Sequence, residues 1–465
     1  MELYSSNESY KLYQGNMLDM LEVINPNSID SIITDPPYEL NFMSKGWDNA
    51  GVSFQVDTWK NCYEVLKPGG YLLAFGGSRT FHRIACAIED AGFEIRDTIM
   101  WLYGSGFPKS MNIGLAIDKK NGVESIVVGK SKSGSTSKAF NDYQYRIDNG
   151  IYSTSGEYQI KEAQNEWQGW GTALKPSFEP IIVARKPFKG SLVDNVIKNG
   201  VGGINIDECR VKPTQEYLNS KGNENTKKSG IVYGFSNYDN LHIRGNPNEL
   251  GRFPANTILT YDEIDFEEVC GGFPNTKTGN IKPYKRNMKN QICYGNLGKN
   301  VTSNHIGDSG SASRYFYNAK ASKKDRDEGL DLFEERKFVL GCNGSKLDNI
   351  EDKGFYGEDK SMGMNRKKKK KNTHPTVKPT NLMQYLVRLV TPNGGTILDP
   401  FNGSGSTGKA VMYENKERNK NYKYIGIELT EEYLPIAKAR IEYVCNLEDK
   451  KESQLTIFDL ENTNE

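Results

Sequence analysis

The chain has few cysteines and histidines for its length, no long apolar run and almost no net charge. Seven cysteines are scattered through 465 residues without a Cys-x-x-Cys pair. That disfavours both a disulfide framework and a structural zinc site. The four histidines, His82, His242, His305 and His374, are dispersed too, so no metal centre is expected. No stretch approaches the roughly 20 apolar residues of a membrane helix. Sixty Lys and Arg against 59 Asp and Glu leave a formal charge of +1. Whole-chain charge therefore carries no nucleic-acid signal, and any basic surface must be local. Met1 to Lys11 are polar and lack the apolar core of a secretory signal. The expected setting is a reducing cytoplasm. No internal repeat is visible.

What is there is an α/β rhythm at both ends. Ile29 to Thr34 reads as a buried parallel strand, Phe54 to Leu66 as a helix, and Lys67-Pro68-Gly69-Gly70 as its stop and a turn. Tyr71 to Gly76 reads as a strand, Arg79 to Asp90 as a helix and Ile95 to Tyr103 as a strand. The region 1–121 is thus one half of a doubly wound α/β unit. Residues 122–168, polar and rich in Ser, Gly and Tyr, read as an inserted loop. Within 169–186, Glu179 to Arg185 restores one strand. Residues 187–310 show little periodicity and much Asn, Gly, Lys and Tyr, as an irregular recognition region would. Residues 311–336 return to the core, and 337–372 form a second insertion ending in the basic run Arg366 to Lys371. In 373–446 the order resumes: an amphipathic helix Thr380 to Val390, a strand Thr396 to Leu398, a helix from Ser406, a strand Tyr422 to Ile427 and a helix Glu431 to Tyr443. Residues 447–465 form a polar, acidic tail.

Two segments carry chemistry. Asp35-Pro36-Pro37-Tyr38 ends the first buried strand, because two prolines cannot continue a ladder. A carboxylate, a stiff backbone and an aromatic ring are left at the carboxyl end of a strand, where α/β sheets bind ligands. Such a group could hold a planar amine; the same residues also read as a strand stop with a helix-capping Asp. The second segment, Asp399-Pro400-Phe401-Asn402-Gly403-Ser404-Gly405-Ser406-Thr407, is a strand end, a glycine-rich turn and a helix start. Glycines there let the backbone approach a ligand closely. Gly403 to Lys409 matches Gly-x-x-x-x-Gly-Lys, but Ala410 stands where a P-loop needs Ser or Thr for Mg²⁺. S-adenosylmethionine, with a carboxylate, an amine and a ribose, is the other ligand for this architecture. Glu428 ends the next strand, where an acid would bind the ribose hydroxyls. The alternative role for Glu428 is to cap the following helix, for which Thr430 is also suited.

Taken together these segments resemble the DNA amino-methyltransferases that act on adenine N6 or cytosine N4. Asp35 to Tyr38 resembles the catalytic motif, Asp399 to Gly405 the cofactor loop, and Thr373-His374-Pro375-Thr376-Val377-Lys378-Pro379 the segment preceding that loop. Catalytic motif first and cofactor loop last is the order of the beta class. The phrases Gly169 to Arg185, Gly203 to Arg210 and Ser313 to Ser322 resemble phage and prophage members. The resemblance implies a circularly permuted Rossmann-like sheet built from both chain ends, with an inserted target-recognition domain. It also implies S-adenosylmethionine as cofactor and double-stranded DNA as partner, in a bacterial or phage-infected cell. By match, Asp35, Pro36, Pro37 and Tyr38 would be catalytic. Asp399, Phe401, Gly403 and Gly405 would line the methionine end of the cofactor, with Thr376 and Lys378 near its carboxylate and Glu428 on the ribose. Asn16 follows Gly15 where the family usually has Asp, and its amide oxygen would accept from the cofactor adenine.

The implied chemistry is direct methyl transfer to an extruded base, favouring adenine because Asp opens the catalytic motif. Cytosine N4 is the alternative substrate. A catalytically silent DNA-binding relative or a P-loop ATPase is the alternative of another class, the first disfavoured by the intact Asp35 and Tyr38 and the second by Ala410. No cysteine follows a proline, which disfavours a thiol adduct at cytosine C5. The run Arg366 to Lys371 reads as a solvated loop or as a phosphate track. Gln454-Leu455-Thr456-Ile457-Phe458 resembles the peptide by which bacterial proteins dock on the replication sliding clamp; a short amphipathic tail is the alternative.

Overall fold

A computed structural model describes residues 1–40, 51–103, 110–132, 157–211, 251–260, 273, 275–277, 284–285, 300–301, 309–319, 323–334, 336–338 and 368–447. The clamp-like segment Gln454–Phe458 lies outside them. Among the described residues, no helix is long and apolar enough to cross a membrane.

The centre is a ten-stranded sheet. In chain order its strands are β1 (Glu2–Ser6), β2 (Tyr10–Gln14), β3 (Ile29–Thr34), β4 (Leu66–Phe75), β5 (Glu94–Tyr103), β6 (Phe178–Arg185), β7 (Thr257–Thr260), β8 (Tyr317–Asn318), β9 (Thr396–Asp399) and β10 (Lys423–Glu428). Across the sheet they run β1-β2-β10-β9-β3-β4-β6-β5-β7-β8. The five strands β2-β10-β9-β3-β4 pair in parallel throughout, and β1 joins them at the edge as an antiparallel hairpin with β2. β6 runs antiparallel to both β4 and β5. The late strands β9 and β10 lie between the early strands β2 and β3, so both ends of the chain build the middle of one sheet.

Alternation along the strands makes two cores. Ile33, Leu73, Ile181 and Val183 face one layer, with Leu382, Leu386, Val411 and Ile441 from the C-terminal helices. Ile32, Leu72, Ile182 and Leu398 face the other, with Trp59, Val65, Ile84 and Ile88. The first layer contains α5 (Thr380–Val390), α6 (Ser406–Arg418) and α7 (Leu434–Cys445); the second contains α1 (Val56–Val65) and α2 (Phe81–Asp90). β3 is buried at every position, as a central strand covered on both faces must be. The result is a Rossmann-like, mostly parallel α/β sheet with helices on both faces.

Several elements differ from the sequence reading. Lys67–Gly70 does not form a separate turn. It lies inside β4 as an irregularity, since Ile29 pairs with Leu66 but Ser31 pairs with Tyr71. Lys67 bridges to Asp30 at 2.6 Å, and Gly69 takes φ +86° with its N–H on the Lys186 carbonyl. These pairings let the strand continue through the proline. Helix α5 is buried almost all round rather than on one stripe. Its Arg388 makes two hydrogen bonds, of 3.0 and 2.5 Å, to the fully buried Glu414 of α6, and Gln384 adds a third at 3.2 Å. The polar β1–β2 hairpin and the helices α3 (Ile113–Asn121) and α4 (Leu192–Asn199) are further additions. The inserted loop 122–168 contains an antiparallel pair, Ile126–Lys132 with Glu157–Glu162. The irregular region 187–310 gives β7 to the main sheet, where it pairs with β5. A four-residue strand carries too little periodicity to be seen in sequence.

Candidate active site

Parallel pairing brings the carboxyl ends of β3, β9 and β10 to one edge of the sheet. Asp35-Pro36-Pro37-Tyr38 leaves β3 there, and the glycine loop leaves β9 beside it. A hydrogen bond of 2.7 Å from Thr34 Oγ1 to Asp399 Oδ1 ties the two segments together across 365 residues of chain. The cavity between them has a volume of about 1380 Å³. That exceeds the roughly 300–1,000 Å³ of a single small-molecule site and leaves room for two ligands.

Every residue expected in the site lines this cavity except Gly405. Gly405 sits at φ +73° ahead of α6, and a Cβ there would lie 3.0 Å from the Ala437 backbone. Its role is to let α6 start close against α7. Gly403, at φ +53°, does face the cavity region, and a Cβ would lie 2.8 Å from His374 Nε2. His374 is locked in turn. Its Nδ1 is 2.6 Å from the Thr376 carbonyl, which can only accept, so Nδ1 carries the proton. Burial pushes its pKa down to about 4, the Thr376 bond opposing. The ring is therefore neutral, with Nε2 turned to the loop.

The loop is organised by two buried acids. Asp399 accepts from Thr34 and, at 2.6 Å, from Thr407 Oγ1; the Phe401 N–H donates at 3.1 Å. Burial raises its pKa to about 7 against the pull of these donors. Glu428 accepts the Gly403 N–H at 2.7 Å on one oxygen and the Thr430 N–H at 2.8 Å on the other. Each oxygen keeps a lone pair for a further donor. Burial raises Glu428 too, and the two backbone bonds oppose it. Asn16 caps the short turn Met17–Glu22, its Oδ1 accepting from Leu18 N at 3.1 Å. Its oxygen thus already serves one donor.

Lys378 lines the cavity, with its ammonium 2.5 Å from Asp35 Oδ2 and 3.2 Å from the Tyr38 hydroxyl. Burial works against this charge, but Asp35 and Glu179 overcome it and raise the pKa. Asp35 Oδ1, by contrast, is buried with no hydrogen-bond partner among the described residues. Burial, then Asp35 and Glu179, push the Tyr38 hydroxyl well up, so it remains a donor. It donates to Glu179 Oε2 at 2.8 Å. The Tyr38 carbonyl accepts from Thr80 Oγ1 at 2.8 Å, which pins the motif to the start of α2.

Glu179 is the main member that the sequence reading missed. The available signal was an acid followed by proline at the head of an otherwise apolar strand. The P-loop reading fails on position as well as on Ala410. Lys409 is fully buried and paired with Asp325 at 3.1 Å and Glu328 at 2.7 Å, and it does not line the cavity. Among the described residues, no cluster of His, Cys, Asp and Glu could hold a metal ion.

A family profile described as DNA methylase (N6_N4_Mtase) matches residues 29–439. The chain is 37% identical over 231 residues to the type II methyltransferase M2.LlaDCHI of Lactococcus lactis subsp. cremoris, covering 43% of this chain and 81% of that protein. It is 22% identical over 302 residues to the type II methyltransferase M.HindIII of Haemophilus influenzae, covering 56% of this chain and 84% of the other. Among solved structures, PvuII DNA methyltransferase (cytosine-N4-specific) matches with a TM-score of 0.38 at 12% identity, covering 98% of this chain and 95% of that one. With the profile spanning most of the chain, both segments that meet at the cavity included, this protein belongs to the N6/N4 DNA methylase family.

Proposed function

We propose that this chain transfers a methyl group from S-adenosylmethionine to the exocyclic N6 of adenine in a specific double-stranded DNA sequence. The observation that carries the reading is Asp35 Oδ1, a buried acceptor at the mouth of the sheet without a hydrogen-bond partner among the described residues. An unpaired buried acceptor is costly, and an amine N–H would satisfy it.

The amine of adenine is a poor nucleophile because its lone pair is conjugated into the ring. Asp35 Oδ1 accepts one of its hydrogens and the Pro36 carbonyl the other. Both bonds favour a pyramidal nitrogen whose lone pair is free to react. Tyr38 stacks on the ring, which offsets about 1–3 kcal/mol of the few kcal/mol that extrusion from the duplex costs. The rest is positioning and electrostatics. When bound, S-adenosylmethionine supplies a methyl group activated by its sulfonium. Glu428 has the spare acceptor capacity to take the ribose hydroxyls. Asn16 would lie on the adenine side of that site, and Asp399, Phe401 and Gly403 with Thr376 on the methionine side. Lys378, expected near the cofactor carboxylate, is assigned to Asp35 instead. The region 187–310, apart from β7, is assigned to reading bases, with Asp as the first motif residue supporting adenine over cytosine.

Incubation with tritiated S-adenosylmethionine and unmethylated bacterial DNA, followed by digestion to nucleosides, tests this. Label in N6-methyladenine is expected. Label in N4-methylcytosine would replace the substrate, and no label would defeat the reading. Asp35→Ala should lower transfer by at least about a hundredfold while cofactor affinity stays near wild type. Retained transfer would remove Asp35 from the mechanism.

A further inference from the structure

Glu179 belongs to neither motif, yet it reaches the catalytic one. Because β6 runs against β4 and β5, its first residues lie where the parallel strands end. Glu179 Oε2 accepts from the Tyr38 hydroxyl at 2.8 Å, and Oε1 from the Tyr103 hydroxyl at 3.3 Å. Lys378 Nζ lies 3.4 Å from Glu179 and 2.5 Å from Asp35. The three side chains are 21%, 7% and 20% exposed for Glu179, Lys378 and Asp35, so screening by water is weak. Two carboxylates share one ammonium.

We propose that Glu179 is a positioning residue for methyl transfer, on the reading that Asp35 holds the target amine. It does two things. It fixes the Tyr38 ring by its hydroxyl, so the ring stands ready to stack on the base. It also draws Lys378 to the side of Asp35 that carries Oδ2, which leaves Oδ1 open for the amine. Without that second anion, Asp35 is the one carboxylate left on Lys378 among the described residues, and the ammonium can turn across both oxygens. The cluster further carries one negative charge in excess of its ammonium. That excess faces a nitrogen that becomes positive as its lone pair forms the new C–N bond, while the methyl's C–S bond breaks and leaves its electrons on a now neutral sulfur. The surplus proton then passes from the nitrogen to Asp35 Oδ1. A fixed negative charge in a poorly solvated site favours the charged nitrogen.

The test uses the full chain, tritiated S-adenosylmethionine and unmethylated bacterial DNA, with single-turnover rates measured from preformed enzyme–DNA complex. Glu179→Gln keeps the shape and one acceptor but removes the charge. It is expected to slow transfer by about 10–1,000-fold, with cofactor Kd and melting temperature near wild type. Tyr103→Phe removes one bond to Glu179 and should slow transfer by less than about tenfold. Tyr38→Phe combined with Glu179→Gln should be no slower than the product of the two single effects reduced by coupling, because the two groups act through one hydrogen bond. A wild-type rate in Glu179→Gln, or strictly multiplicative effects in the double variant, would overturn the proposal. So would a loss of rate matched by an equal loss of cofactor binding or thermal stability in both Glu179→Gln and Glu179→Ala. Wild-type protein that transfers no label would overturn the underlying reading, whereas active wild type with an equally active Glu179→Gln overturns this inference alone.

Discussion

Asp399→Asn separates the charge of the loop acid from its hydrogen bonds. The three donors around Asp399 are the Thr34 and Thr407 hydroxyls and the Phe401 N–H. An amide oxygen can keep Phe401 and Thr34, and the Thr407 hydroxyl can turn to accept from the new NH₂. The substitution therefore removes ionisation at little cost in bonding. Burial lifts Asp399 from 3.8 to about 7. The folded state then holds this proton more tightly than the unfolded state, so the contribution of Asp399 to stability falls as pH rises between those two values. A shift of about 3 units corresponds to roughly 4 kcal/mol. Urea unfolding of both proteins across about pH 4 to 8 gives the difference directly, and shared contributions such as that of Glu428 cancel. The Asn variant is expected to gain on wild type by up to about 4 kcal/mol over that range, with the gain levelling off above neutrality. A difference that stays flat would refute the argument that burial dominates this site. A cationic ligand beside Asp399 favours its ionised form, so affinity for S-adenosylmethionine should rise with pH toward neutrality in wild type and not in the variant.

Gly403→Ala and Gly405→Ala should fail in different ways. At Gly403 the methyl meets a His374 ring held by Thr376, and cofactor titration should show affinity weakened by about tenfold or more. At Gly405 the methyl meets the α7 backbone, and melting should show a loss of about 2–4 kcal/mol with cofactor affinity of the folded protein preserved. The reverse pattern would mean that Gly405, not Gly403, approaches the cofactor. Glu414→Ala leaves Arg388 buried without its carboxylate and should cost about 3–5 kcal/mol in denaturant unfolding. Replacing both partners, as in Arg388→Met/Glu414→Leu, should recover most of it; no recovery would show that the pair contributes more than satisfying its own charges.

The sequence by itself determined the local pieces of this site. The run Ile29–Thr34 could only be a strand buried on both faces, and Pro36-Pro37 could only end it. Gly403 and Gly405 marked a close-approach turn before a helix, and Glu428 marked the end of a strand. These are short-range facts, set by neighbours a few residues apart, and they sufficed to name a family and a cofactor. Tertiary structure alone decided which pieces touch. Asp399 meets Thr34 only because β9 inserts beside β3. Gly405 faces α7 rather than the cavity because the helix packs there. Lys378 meets both Asp35 and Glu179 because the two carboxylates converge from separate strands. Glu179 enters the site only because β6 runs backwards, which brings the start of that strand to the end of the others. Strand order and direction follow from burying both faces of the whole sheet at once, and no local stretch of sequence carries that information.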